Sequence, residues 1–244
     1  MILGIFYQSS GMGNQLARYV ATRILALDKG YDWGMYYIPN DSSKEPGFKG
    51  SSFMELDTRI TNVVANQGQK FGKFEEKKIR ENGVDISPYD PEFNFIEDNT
   101  IIEGEFQDER YWEHREKEVN EWLKVEPLEV PDDTCVIGFR GGEFALYPDL
   151  FLTKEYYEEA MSIMIEKYGI KRFEIHTDDE KLAKEFFGEI PVIHNIGINW
   201  RSMRCAKHAI IANSSFFILP RWLRNGITIA PRFWGRRNTK VWSL

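Results

Sequence analysis

Cysteine, histidine and long apolar runs are what this 244-residue chain has little of. Two cysteines, Cys135 and Cys205, are too few for a disulfide scaffold or a cysteine zinc site. Both lie in apolar segments and are expected to be reduced core thiols. Four histidines are scattered, with no metal-ligand cluster, so the chemistry is expected to need no metal. No run of about 18 apolar residues offers a membrane span. The N-terminus has no charged leader with a cleavage site but opens on an apolar strand-like segment, which suits a cytoplasmic location. Positive charge is also short: the net charge is -7, which argues against a nucleic-acid partner. The exception is a basic tail, Arg232, Arg236, Arg237 and Lys240, read as a solvated terminus rather than a surface for phosphates or anionic membrane. There is no internal repeat and no low-complexity tract. With 42% hydrophobic residues the chain is globular, and its length allows one large domain or two small ones.

The most informative stretch is Val136–Phe144, VIGFRGGEF. An apolar run, Thr134–Phe139, suits a central strand. It stops at Arg140, and Gly141 and Gly142 let the backbone turn and leave room for a ligand. Arginine presents a planar fork of donors matched to phosphate oxygens. Alone, this reads more simply as an edge arginine above an ordinary turn.

From the start of the chain, Ile2–Tyr7 reads as a buried strand and Gln8–Gly13 as a Ser/Gly loop. A helix is expected from near Asn14, with Leu16, Tyr19, Val20, Ile24 and Leu27 on one face and Gly30 as its C-cap. Strand, glycine loop and helix aim backbone N–H groups at an anion. Residues 40–100 read as loops and short elements. Thr100–Phe106 is strand-like, and Gln107–Leu123 is expected to be one amphipathic helix. Glu126–Asp133, with Pro127 and Pro131, is the linker candidate, giving lobes at residues 1–126 and 127–244. Beyond it strands and helices alternate: strand 134–139, helix 153–168 capped by Thr153, strand 172–176, helix 179–187, strand 191–194, helix 199–207, strand 209–212, helix 216–224 and strand 227–230. Such alternation implies an α/β architecture with a parallel sheet covered on both faces.

Three polar signals fall in equivalent places, after strands: Arg140, then Thr177, Asp178 and Asp179, then Asn213, Ser214 and Ser215. Ligands of open α/β sheets bind outside the carboxyl ends of strands. An arginine for phosphate, carboxylates for a purine N–H and hydroxyls for phosphate together suit a nucleotide. Each carboxylate or hydroxyl could instead cap the helix it precedes.

Several ordered motifs then resemble the α-1,2-fucosyltransferases of glycosyltransferase family 11, in the wider α1,2/α1,6/O-fucosyltransferase superfamily. Gly11-Met12-Gly13-Asn14-Gln15 matches their G-x-G-N-Q, and Glu103-Gly104-Glu105-Phe106-Gln107 stands where they carry E-G-Y-F-Q. Gly138–Glu143 occupies the place of H-x-R-R-x-D, and Leu152–Met161 looks like the segment that follows it. His176-Thr177-Asp178-Asp179 is similar to their S-D-D element. Met203–Phe216 resembles M-x-x-C-K-H-x-I-I-A-N-S-S/T-F. Ile229-Ala230-Pro231 with Trp234 resembles the C-terminal signature. The matches cover most of the chain except residues 35–98.

The resemblance implies a GT-B-like pair of Rossmann-like lobes with parallel sheets, the C-terminal lobe binding the nucleotide sugar. It implies metal-independent, inverting transfer of fucose from GDP-fucose, the donor substrate, to a glycan acceptor, with no cofactor. Arg140 would hold the diphosphate, Asp178 or Asp179 would sit near guanine or ribose, Ser214 and Ser215 near the phosphates, and Gly13 and Asn14 near the donor from the first lobe. Asn213 and Phe216 belong to the same donor-binding block. Glu143, in the place of the family's aspartate, is the candidate general base; alternatively it pairs with an arginine and orders the loop. This chain departs from the pattern at Gly138 and Gly141, where the family has histidine and its second arginine. It departs again after Phe216, where Phe217-Ile218-Leu219-Pro220 replaces S-W-W-G. Those departures keep a second expectation open: a catalytically silent nucleotide- or glycan-binding protein, or a transferase of another GDP-sugar.

Overall fold

The computed structural model describes residues 1–38, 47–60, 70–81, 84–148, 150–224 and 226–231, with the backbone alone at 81 and 84–86. The basic tail and Trp234 lie outside the described residues, as does part of the polar segment at 41–52. The chain forms two compact units, Met1–Lys124 and one beginning at Val125.

In the first unit, β1 (Ile2–Tyr7) leads into α1 (Met12–Lys29) and then β2 (Trp33–Ile38). Short strands β3 (Gly72–Glu75), β4 (Ile79–Glu81) and β5 (Val84–Ile86) precede β6 (Thr100–Glu103). The sheet runs β2-β1-β6-β3, and the three pairings within it are parallel. β4 and β5 form a separate antiparallel pair. Helix α1 begins two residues earlier than Asn14 and ends as expected on Gly30, whose φ of 69° needs no Cβ to accommodate. It is buried almost all round, polar side chains included: Gln15, Arg18 and Thr22 are inside.

The expected helix at 107–123 is a correction. Two single 3-10 turns, Glu109–Tyr111 and Glu113–Arg115, come first, and only α2 (Glu116–Trp122) is α-helical. The Asp108 carboxylate accepts from Arg110 N–H, a local bond that competes with helix. Tyr111 and Trp112 are pulled into the core instead of sharing one helical stripe. β6 likewise stops at Glu103, three residues short of the expected end, because the chain turns there.

In the second unit, β7 (Thr134–Phe139), α3 (Lys154–Tyr168), β8 (Arg172–Thr177), α4 (Glu180–Phe187), β9 (Val192–Ile193), α5 (Ile196–Cys205), β10 (His208–Ile211), α6 (Ser215–Arg224) and β11 (Ile227–Ile229) follow in order. The sheet is parallel, β11-β10-β7-β8-β9. α5 starts three residues earlier than expected because Asn195 caps it, its side chain accepting from Ile198 N–H. Thr153 is the N-cap residue of α3 but makes no side-chain capping bond.

Cys135, Ile137 and Phe139 on β7 face a cluster with Tyr157, Ala160 and Met164 of α3 and Ala183 of α4. The Phe139 ring meets those of Phe151, Tyr157, Phe186 and Phe187 at 5.1–6.0 Å. A phenylalanine so placed is worth about 3–5 kcal/mol over alanine, and it anchors the residue immediately before Arg140. Cys135 is buried and Cys205 half-buried, both free. Among the described residues no helix is long and apolar enough to cross a membrane.

Candidate active site

In the second unit the chain leaves β7 toward β8 and β9 on one side, then returns to place β10 and β11 on the other. The strand order therefore reverses between β7 and β10, the point where open α/β sheets leave a crevice at their carboxyl ends. Arg140 follows β7, Asn213 and Ser214 lie between β10 and α6, and Ser215 opens α6. The sequence-singled residues of these two segments thus share the switch point. Asp178 and Asp179 follow β8, the next strand over.

Arg140 is clamped. Its Nη1 lies 2.6 Å from Asp178 Oδ2, Nη2 lies 3.6 Å from Glu143, and the guanidinium stacks 4.7 Å from the Phe144 ring centre. Its buried Nε has no hydrogen-bond partner among the described residues, nor has the buried Oδ1 of Asn213, whose Nδ2 donates to Leu150 C=O at 3.0 Å. Buried polar atoms without partners are uncommon and call for an explanation.

Both aspartates are engaged with the turn that carries Arg140. Asp178 Oδ1 accepts from Gly141 N–H at 3.1 Å, and Asp179 Oδ2 accepts from Gly142 N–H at 3.2 Å. Asp179 Oδ1 caps α4 by accepting from Leu182 N–H. The helix-capping alternative weighed for Asp179 is therefore present, joined to a stapling role. The two glycines are required by this approach: a Cβ on Gly141 would stand 2.6 Å from Asp179 Cβ, and Gly142 has φ of 42°. The family's second arginine could not stand at 141 in this arrangement. Glu143 lies on the 3-10 turn Gly142–Leu146 with its side chain 73% exposed, turned outward.

Two departures from the family pattern touch each other. A Cβ on Gly138 would meet the Phe217 ring at 2.8 Å. The ring of Phe217 fills the space that a side chain at 138 would need, so glycine and phenylalanine come as a pair. Phe216, beside it, packs its ring against Trp200 at 5.6 Å. His176, in register with Gly138, is fully buried and binds Asn199 through Nδ1 at 3.0 Å, while Asn199 donates to Thr177 C=O. These bonds hold the end of β8.

The first unit carries its own switch point, between β1 and β6. Gly13 and Asn14 lie in the first turn of α1, after β1. Gln107, after β6, donates to Asn14 Oδ1 at 2.8 Å. Arg18, four residues on, is the member that sequence reasoning missed. It is 6% exposed and spans the two segments. Nη1 donates to Ser10 at 2.6 Å, Nε to Gly104 C=O at 2.7 Å, and Nη2 pairs with Glu105 at 2.9 Å. The signal was a polar row, Gln15, Arg18 and Thr22, at helical spacing inside an otherwise apolar helix. The Tyr7 hydroxyl donates to Glu103, and its pKa is pushed up to about 12, first by burial and then by that carboxylate. Lys73, 2.9 Å from Glu103, holds the Glu103 carboxyl below its usual range. Among the described residues no group of His, Cys, Asp and Glu is arranged to hold a metal ion.

No protein-family model matches the chain. An Escherichia coli alpha-1,2-colitosyltransferase is 30% identical in an alignment 163 residues long that covers 55% of this chain and 56% of that protein. The match thus spans little more than half the length of that relative. POFUT1 in complex with GDP-fucose superposes with a TM-score of 0.58 at 9% identity, covering 96% of this chain and 98% of the other. NodZ alpha-1,6-fucosyltransferase, co-crystallized with GDP, gives a TM-score of 0.52 at 12% identity over 91% of this chain and 92% of its own. The protein has the GT-B fold of these glycosyltransferases, as expected from its sequence.

Proposed function

We propose that the protein is a glycosyltransferase that moves a deoxyhexose from a GDP-sugar to a hydroxyl of a glycan. The observation that carries this reading is the clamped Arg140 at the β7/β10 switch point, beside Asn213 and the first turn of α6. The second unit would bind the nucleotide and the first the acceptor. Fucose is the first candidate for the sugar. Colitose, which is fucose without its 3-hydroxyl, is the second, on the name of the matched relative.

The chemistry follows from charge. The acceptor oxygen bonds to the anomeric carbon from the face opposite the phosphate, inverting it, while the carbon–oxygen bond to the diphosphate breaks. Negative charge grows on the departing GDP, and Arg140 with the N–H groups of the α6 first turn can stabilise it. The acceptor proton must leave, and Glu143 is the proposed taker. Asp178 and Asp179 would accept from the N1–H and amino group of guanine with lone pairs left over from the staple.

The test is nucleotide selectivity joined to turnover. GDP should raise the melting temperature where ADP and UDP do not. GDP-fucose with methyl β-galactoside should release GDP and give an α-1,2-linked product. Arg140→Ala should keep the fold and cut turnover about 10²–10³-fold, and Arg140→Lys should fail as well, since a point charge does not replace a planar fork. Wild-type turnover in Arg140→Ala would remove the assignment. Equal stabilisation by all three nucleotides would leave the aspartates with stapling alone. GDP binding without transfer to any sugar would favour the silent binding protein, for which the glycines at 138 and 141 speak.

A further inference from the structure

The turn Gly104–Gln107, which follows β6 at the first unit's switch point, is built with unusual care. Phe106 is a non-glycine residue at φ of 46°, a conformation that L side chains avoid. It is held there by its ring, which packs against Phe74, Phe93 and Tyr111 at 5.4–6.5 Å. It is also held by Glu76, 2% exposed, whose Oε2 accepts from Glu105 N–H at 2.6 Å and Phe106 N–H at 3.1 Å. A Cβ on Gly104 would stand 2.5 Å from Glu76 Cβ, so only glycine admits that carboxylate. Strain kept in place by so many contacts marks a segment whose exact course matters.

What the strain presents is the side chain of Glu105. One of its oxygens takes Arg18 and the other accepts from Gln107 Nε2 at 3.3 Å. The side chain remains 22% exposed. An ionised carboxylate offers about four lone-pair directions, so two stay open. A fixed, partly solvated carboxylate with its counter-ion behind it is suited to accept from two neighbouring sugar hydroxyls, with charge-assisted bonds. Glu103 is less suited, because Tyr7 and Lys73 already occupy it. The family pattern has tyrosine where Glu105 stands, so the contact belongs to this chain.

We propose that Glu105 is a sugar-binding carboxylate of the acceptor site, accepting from adjacent hydroxyls of the acceptor. This rests on the transferase reading for its setting but not for its test, which is a binding measurement. Methyl β-galactoside is titrated calorimetrically into the GDP-saturated full chain. Wild type should bind, and Glu105→Gln should weaken the sugar about tenfold or more, the scale of one charge-assisted hydrogen bond, with GDP affinity unchanged. Gln keeps an acceptor for Arg18 but not its countercharge, so the variant should melt lower whatever the role of Glu105, and a merely structural role would leave the sugar affinity at its wild-type value. A second measurement needs no variant: among monodeoxy methyl β-galactosides, those lacking either of two adjacent hydroxyls should bind wild type about tenfold more weakly. Equal binding by the whole deoxy series, wild-type sugar affinity in Glu105→Gln, or no binding of the galactoside to wild type would each overturn the proposal. Binding that depends on Glu105 without any sugar transfer would leave it standing and remove the transferase reading instead.

Discussion

Two turns at equivalent places, Gly104–Gln107 and Arg140–Gly142, solve one problem differently. Each follows a central strand at a point where strand order reverses, and each must hold polar side chains at a sheet edge. Each is pinned by carboxylates that accept consecutive backbone N–H groups, and each involves an arginine. In the first unit the pin is a single buried carboxylate, Glu76, and the strained residue is Phe106, forced into place by an aromatic cluster. In the second the pins are Asp178 and Asp179, partly solvated, and the special backbone falls on glycines, which bear it at no steric cost. One turn is rigid through packing, the other through a staple that solvent can reach. The first arrangement suits a fixed recognition surface. The second leaves a loop whose arginine and N–H groups can re-pair when an anion arrives.

The contrast can be broken by a methyl group. Gly104→Ala should destabilise the protein by about 3 kcal/mol, because buried Glu76 cannot move aside. Gly141→Ala should cost less, about 2 kcal/mol, because the partly solvated turn can shift away from Asp179 Cβ, and that shift should sharply weaken GDP binding. Denaturant unfolding of both variants checks the order, and similar losses would erase the distinction.

A smaller effect sharpens the second unit's side of the comparison. Gly138→His should cost about 2 kcal/mol by overpacking against Phe217. Phe217→Ser alone should cost about 3–5 kcal/mol, and the double variant should lose clearly less than the sum of the two, so the pair should be strongly non-additive. Additive losses in a double-mutant cycle would mean that the ring does not occupy the missing side chain's space.

The smallest effect is in pH, and the units should respond with opposite sign. Burial raises the Glu76 pKa in the folded protein. Its stabilising contribution is therefore complete below the unfolded value near 4.5 and lost as pH rises through the higher folded value. Burial lowers the His208 pKa, so the unfolded chain takes up that proton first. Stability should fall as pH drops below about 6.5, toward the lower folded value. Melting curves from pH 4 to 8 check both: the difference between wild type and Glu76→Gln should shrink toward low pH, and the difference between wild type and His208→Gln should shrink toward high pH. Parallel profiles would show that neither group titrates differently on folding.

The sequence by itself determined the local and periodic features. β1 and β7 stand where their apolar runs predict, because a buried parallel strand needs little beyond a short apolar run with glycine or polar punctuation. The alternation after residue 134 determined the second sheet, and Arg140, Asp178, Asp179 and Asn213–Ser215 stand just beyond its strands, as their place in the sequence implied. The region at 107–123 was misread because its apolar residues fit a helical stripe, whereas Asp108 and the burial of Tyr111 and Trp112 favour turns. β2 went unassigned for a different reason: WGMYYI is interrupted by Gly34 and does not alternate, and pairing with β1 makes it a strand. Tertiary structure alone decided the strand order, and so which loops meet at a switch point. It alone turned Asp179 into both cap and staple, put Arg18 across two loops, and set Phe217 against Gly138. These are contacts between residues far apart in the chain, and no local pattern encodes the partner of a buried charge or the shape of the space a missing side chain leaves.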